Sequence, residues 1–198
     1  MELSEAVRRR RMVRSFTTDA VAPEVVDRLL DAAVRAPSAG FTQGWAFVVL
    51  EGADQTDRFW RHALPPERRE GFPWPGLVRA PVLIVPLSSE QAYRNRYGEP
   101  DKADTGLAAD PWPVPYWDVD CAFATMLLLL GAVDEGLGAL FFGISWGEAE
   151  VLAELGVPPE FRPIGAVALG HPGGDDRRST SLARGRRPMD EVVHRGGW

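Results

Sequence analysis

Two stretches of this sequence gather the side chains best suited to holding an anion. In "RRRRMVR", Arg8, Arg9, Arg10, Arg11 and Arg14 place five guanidinium groups within seven positions, although the chain as a whole carries a formal net charge of −6. Arginine grips phosphate through paired, planar hydrogen bonds. Part of the run has a plainer use, because basic residues in the last turn of a helix offset its negative pole. That use needs one or two of them, and Arg14 lies beyond the helix. A GC-rich coding sequence explains why the basic residues are arginine, Lys102 being the single lysine, but not why five cluster. The second stretch, "RGRRPMDEVV", alternates Arg184 and Arg186, which point the same way in an extended segment. Alone it reads as a solvated loop. Beside the first cluster it becomes a second jaw for the same anion.

A rival chemistry sits in "GISWG" (143–147), the G-x-S-x-G pattern of a hydrolase nucleophile elbow. Ser145 would be the nucleophile, and Asp190 and His194 follow in the required order. Too few strands surround the motif to carry an acid and a base, and His194 lies four residues from the end of the chain. Metal chemistry finds no ligand spacing among His62, His171, His194 and the single Cys121. No dinucleotide or P-loop glycine pattern occurs. Phe72, Trp74, Trp112, Tyr116 and Trp117 fall in loop segments, where they either pack the loops or line a flat, apolar pocket.

The elements that must position these residues follow from periodicity. The spacing predicts a short helix over 2–10 and an amphipathic helix opening at Pro23 and stopping before Pro37. Strands are expected at 45–51, 81–87, 138–144 and 163–172. Further helices are expected near 54–63, 89–97 and 147–156, with an apolar helix over 118–135. Residues 64–80 and 98–117 read as irregular loops, and 173–198 as a Gly- and Arg-rich tail. A few strands alternating with helices give an α/β or α+β sheet covered by helices, in a single domain of 198 residues.

Composition sets the remaining bounds. An acidic chain with basic charge concentrated only near residues 8–14 is not a general nucleic-acid binder. One cysteine excludes an intrachain disulfide and fits a reducing compartment. The longest apolar run, 121–133, is short for a bilayer span. A cytoplasmic location without membrane attachment is expected.

Taken in order, "RRRMVRSF", "APSAGFTQGWAFVVL", the apolar helix before "GLGALFFGIS", "LGVPPEFRPIGAVALGHP" and "RGRRPMDEVV" resemble the nitroreductase family of flavin enzymes over essentially the whole chain. The resemblance implies an α+β fold with a central, mostly antiparallel sheet flanked by helices. It also implies a domain-exchanged homodimer, with the tail 173–198 wrapping the partner subunit. Members bind FMN at the subunit interface and pass a hydride from NADH or NADPH to nitroaromatics, quinones or similar flat acceptors. By the resemblance, Arg10 and Arg14 would hold the FMN phosphate and ribityl chain, with Arg11 beside them and Arg184 and Arg186 closing from the tail. Ser38, Ala39 and Gly40 would approach the flavin from the partner subunit. Phe142, Gly143 and Ile144 would line its ring, and no side chain would be catalytic. Phe41, Trp112 and Tyr116 would shape the substrate pocket. The sequence departs from the family pattern at Met12 (usually Ser), Phe41 (usually Asn) and Gly44 (usually Pro), which leaves room for a deazaflavin or a flavin-binding protein with little turnover.

Overall fold

A computed structural model describes residues 1–198, the side chain of Ala103 apart. Among the described residues seven α-helices and five strands follow one another along the chain. They are α1 (Leu3–Arg9), α2 (Pro23–Ala33), β1 (Trp45–Glu51), α3 (Gly52–Ala63), α4 (Pro66–Arg69), β2 (Val82–Ser88), α5 (Glu90–Tyr97), α6 (Tyr116–Asp134), β3 (Gly138–Phe142), α7 (Glu148–Glu154), β4 (Arg162–Pro163) and β5 (Ala166–Gly170). The strands form one sheet in the order β1-β2-β5-β3, with β4 paired to β2. Every one of these pairings is antiparallel.

The period-two alternation of β2 builds both halves of the core. Leu83, Val85 and Leu87 face a cluster with Phe59 and Trp60 of α3 and Val151 of α7. Val82 and Ile84 face the opposite cluster, with Val26 and Leu29 of α2 and Ala124 and Leu128 of α6. The sheet is thus covered by helices on both faces, an α+β arrangement.

Strand β1 falls where the sequence predicts it, its apolar run pairing in full register with β2. The expected strand over 163–172 divides into β4 and β5 at Gly165. There φ is 148° and a Cβ would lie 2.7 Å from the Phe142 carbonyl oxygen, so the chain passes too close to β3 for a side chain. The loop 64–80 contains α4 and a short 3₁₀ turn at Pro75–Arg79. The apolar helix begins earlier than expected. At 19 residues, α6 is long and apolar enough by composition to cross a membrane, yet here it packs against α2 and the sheet.

Candidate functional site

Residues 10–14 run beside β3 as a short extra edge. Met12 bridges Ala139 in parallel, and the Val13 N–H donates to the Ala139 carbonyl at 3.0 Å. In an extended segment successive side chains alternate faces, so Arg10, Met12 and Arg14 share one face while Arg11 and Val13 take the other. Val13 is buried in the core. Arg11 pairs with Asp176, whose side chain is 2% exposed. Asp176 also accepts the backbone N–H groups of Arg14 (2.7 Å) and Ser15 (3.1 Å). Its neighbour Asp175 accepts from the Ser15 hydroxyl and from Arg79 at 2.8 Å. The segment 173–176 therefore latches the strand that carries Arg14.

Arg14 opens into a cavity of about 310 Å³ that it lines together with Trp60, Phe72, Trp74, Trp146 and the turn Phe142-Gly143-Ile144. Its guanidinium lies 5.1 Å from the centre of the Trp74 ring, a cation–π contact. Phe142 stacks on Trp60 at 5.7 Å with the rings 6° from parallel. The Trp60 indole N–H is buried without a hydrogen-bond partner, and a Cβ at Gly143 would meet no atom within 4 Å. Among the described residues no carboxylate, histidine, lysine or cysteine lines this space. The ion pairs within residues 8–14 are Arg9–Glu5 and Arg11–Asp176. That leaves Arg8, Arg10 and Arg14 without a carboxylate among the described residues. Trp60 and Trp146 were not marked by the sequence, because one lies in an ordinary helix and the other inside the misleading serine motif.

The loop 38–43 lies at the same end of the sheet but at its other edge. Gly40, Phe41 and Gln43 have φ of 62°, 53° and 52°. This left-handed path is held from outside. Asp120, buried on α6, accepts from the Ala39 N–H and from the Tyr93 hydroxyl, both at 2.7 Å. Arg96 donates to the Gly40 carbonyl at 2.9 Å. Burial, and then the Asp120 hydrogen bond, push the Tyr93 phenol far above its usual range, so it stays a neutral donor. Gly44 is required because a Cβ there would lie 2.5 Å from the Tyr93 ring. Phe41 is left 74% exposed. Trp112 donates to the Leu107 carbonyl and packs edge-on against Tyr93, Tyr97, Tyr116 and Trp117.

The single chain thus brings together Arg14, Phe142, Gly143 and Ile144. It does not bring Ser38, Ala39, Gly40, Phe41, Trp112 or Tyr116 to them. The two edges are three strand spacings apart, about 14 Å. Arg11 is directed to Asp176, away from the face of Arg10 and Arg14. Arg184 and Arg186 lie in a tail whose residues 181–198 are all exposed, and they do not line the Arg14 cavity. The hydrolase reading finds no triad, since the His194 ring packs on Trp198 at 4.0 Å and Ser145 has neither His194 nor Asp190 as a partner among the described residues.

Comparison with known proteins gives the family. A protein of Methanothermobacter thermautotrophicus named NADH dehydrogenase/NAD(P)H nitroreductase is 28% identical over 87% of this chain and 78% of its own length. The FMN reductase (NAD(P)H) of Bacillus subtilis is 25% identical over 98% of this chain and 73% of its own. The crystal structure of a nitroreductase in complex with FMN from Desulfovibrio desulfuricans superimposes with a TM-score of 0.72 at 25% identity, covering 100% of this chain and 98% of that one. A model of the Nitroreductase family matches residues 7–171, and the chain belongs to that family.

Proposed function

We propose that this protein is a cytoplasmic, homodimeric oxidoreductase that uses FMN to pass a hydride from NADH or NADPH to a flat acceptor such as a quinone or a nitroaromatic. The observation that carries this reading is the cavity at Arg14, with an open glycine turn on one side and the unpaired Arg14 on the other. FMN has a flat apolar ring and a dianionic phosphate. The residues present fit it. The aromatic walls and the bare Gly143 backbone suit the ring, the orphaned Trp60 N–H offers a donor, and Arg14 suits the anionic tail, with Arg10 assigned beside it by strand alternation alone. The names of the relatives, FMN reductase and NAD(P)H nitroreductase, support the same assignment.

The chemistry such a cofactor would supply is the uptake and release of a hydride. The chain's own residues do the rest. Arg14, fixed by the Asp175–Asp176 latch, presents positive charge at the cavity mouth. Trp60, Phe72 and Trp74 exclude water. No side chain of the cavity exchanges a proton near neutral pH, so none is assigned a catalytic role. Ser38, Ala39 and Gly40, with Phe41, Trp112 and Tyr116, are read as the half of the site given to a second copy, and Arg184 and Arg186 as a closing jaw on the phosphate. The exposed tail and the apolar side chains bared on α1 and α6 support such a dimer.

The absorption spectrum of the purified protein tests the reading. Flavin bands that bleach with NADH or NADPH and return on adding a quinone are expected. A protein that neither retains nor rebinds FMN overturns it.

A further inference from the structure

The flavin reading uses Arg10 and Arg14 but leaves the other arginines of the N-terminal run outside the flavin site. Three of them, Arg8, Arg9 and Arg11, converge with Arg178 on a separate cavity of about 390 Å³ at the start of β3. Phe142 and the Arg14 cavity lie toward the other end of that strand, and the alternation of residues 10–14 turns Arg11 away from Arg10 and Arg14. The floor is apolar, with Val13, Val133 and Leu137. Among the described residues no carboxylate lines the cavity. Arg9 and Arg11 are neutralised from outside it, by Glu5 and Asp176. Arg8 and Arg178 have no ion-pair or hydrogen-bond partner among the described residues. Arg8 and Arg9 do sit in the last turn of α1 and offset its negative pole. That role explains neither Arg178, which comes from a distant loop, nor the convergence of four arginines on one hollow in a chain of net charge −6.

We propose that this hollow is a second anion site, separate from the flavin, for a compact polyanion of the phosphate or pyrophosphate class. The free Arg8 and Arg178 clasp the anion, and the paired Arg9 and Arg11 frame the hollow around it. Arginine suits this because its fork matches phosphate oxygens in pairs.

Inorganic pyrophosphate is the probe, titrated calorimetrically into the purified protein carrying whatever cofactor it retains. Saturable binding that weakens with added salt is expected. Arg8→Ala and Arg178→Ala should each reduce affinity by roughly ten- to a hundredfold, the loss of one charge-assisted hydrogen bond or more. Their melting temperature and flavin content should match the parent. Arg14→Ala should leave pyrophosphate binding unchanged. The absence of binding overturns the proposal, as does binding indifferent to both variants. Displacement of FMN by pyrophosphate would also overturn it, by making the two anion sites one. Because pyrophosphate binding is read without flavin turnover, the site stands or falls independently of the proposed activity.

Discussion

Phe41 occupies a backbone position that suits another residue. Its φ of 53° is left-handed, where a Cβ crowds the following carbonyl, and asparagine tolerates this region better than a bulky ring. The usual asparagine of the family pattern therefore has a backbone reason in addition to any polar contact. Phe41→Asn should stabilise the protein by about 1 kcal/mol, the scale of a relieved left-handed residue. A higher urea midpoint measures it, and an unchanged midpoint would mean that the surrounding hydrogen bonds absorb the strain. If Phe41 also narrows the acceptor pocket, the same variant should change the ratio of activities toward small and large quinones. The arginines separate in the same way. Arg14→Ala should lower FMN affinity about ten- to a hundredfold while the melting temperature holds, as for loss of a charge-assisted hydrogen bond. Arg11→Ala should lower the melting temperature, because it strips the buried Asp176 carboxylate of its cation. Fluorescence titration with FMN beside thermal melts of the two variants distinguishes them, and identical behaviour would refute the division of labour drawn from strand alternation.

At the scale of elements, the Asp175–Asp176 latch ties the strand of Arg14 to the segment after β5, and it has a pH signature. Asp175 is held below the usual carboxylate range first by the Ser15 hydroxyl and then by Arg79. A carboxyl lowered on folding adds stability that is complete above its unfolded value, about 4. The contribution is lost as pH falls through the lower folded value. Flavin release on acidification should therefore begin at higher pH in Asp175→Asn than in the parent, measured by free-flavin fluorescence between pH 6 and pH 3. Coincident curves would show that the latch does not govern the site. Neither this latch nor the Asp120 clamp was legible in the sequence. The Asp176 bond to Arg14 spans 162 positions and the Asp120 bond to Ala39 spans 81, so no local spacing records them. What the sequence did carry was local. Strand β1, helix α2 and the core strand β2 follow from alternation, proline stops and apolar runs. For the aromatic loops the sequence left two fates open, packing the loops or lining a flat pocket. Within one chain Trp112 packs with Tyr93 and Tyr97, and Tyr116 packs on Trp112, while Phe72, Trp74 and Trp146 line the cavity beside Arg14. Where a loop places its rings depends on its path through space, which composition does not encode.

For the whole molecule, one chain keeps apart the two groups of residues that the proposed function joins into one site. Arg14 and the 142–144 turn lie at the β3 edge, and the clamped loop 38–43 lies at the β1 edge, about 14 Å away across the sheet. The same chain leaves Phe123 and Met126 of α6 exposed at 48% and 45%, and Leu3 and Val7 of α1 exposed at 69% and 53%. These two helices are in contact, so their bare apolar residues belong to neighbouring surfaces that a second copy would cover. A twofold pair built on that surface could set the 38–43 loop of each copy against the Arg14 cavity of the other. Mixing two defective chains tests this. Arg14→Ala damages the cavity half. Gly40→Val damages the loop half, because φ there is 62° and a Cβ would fall 2.8 Å from the Tyr97 ring. Each variant alone should show little NAD(P)H-dependent quinone reduction. After joint unfolding and refolding in equal amounts, half of the dimers are mixed, and each mixed dimer holds one intact site and one doubly damaged site. About a quarter of all sites should then work, by the combinatorics of a twofold dimer. Recovery near that level, absent when the variants are refolded apart, requires a site built from two chains. No recovery, with mixed dimers verified by native mass spectrometry, would place both halves on one chain and overturn the shared-site reading.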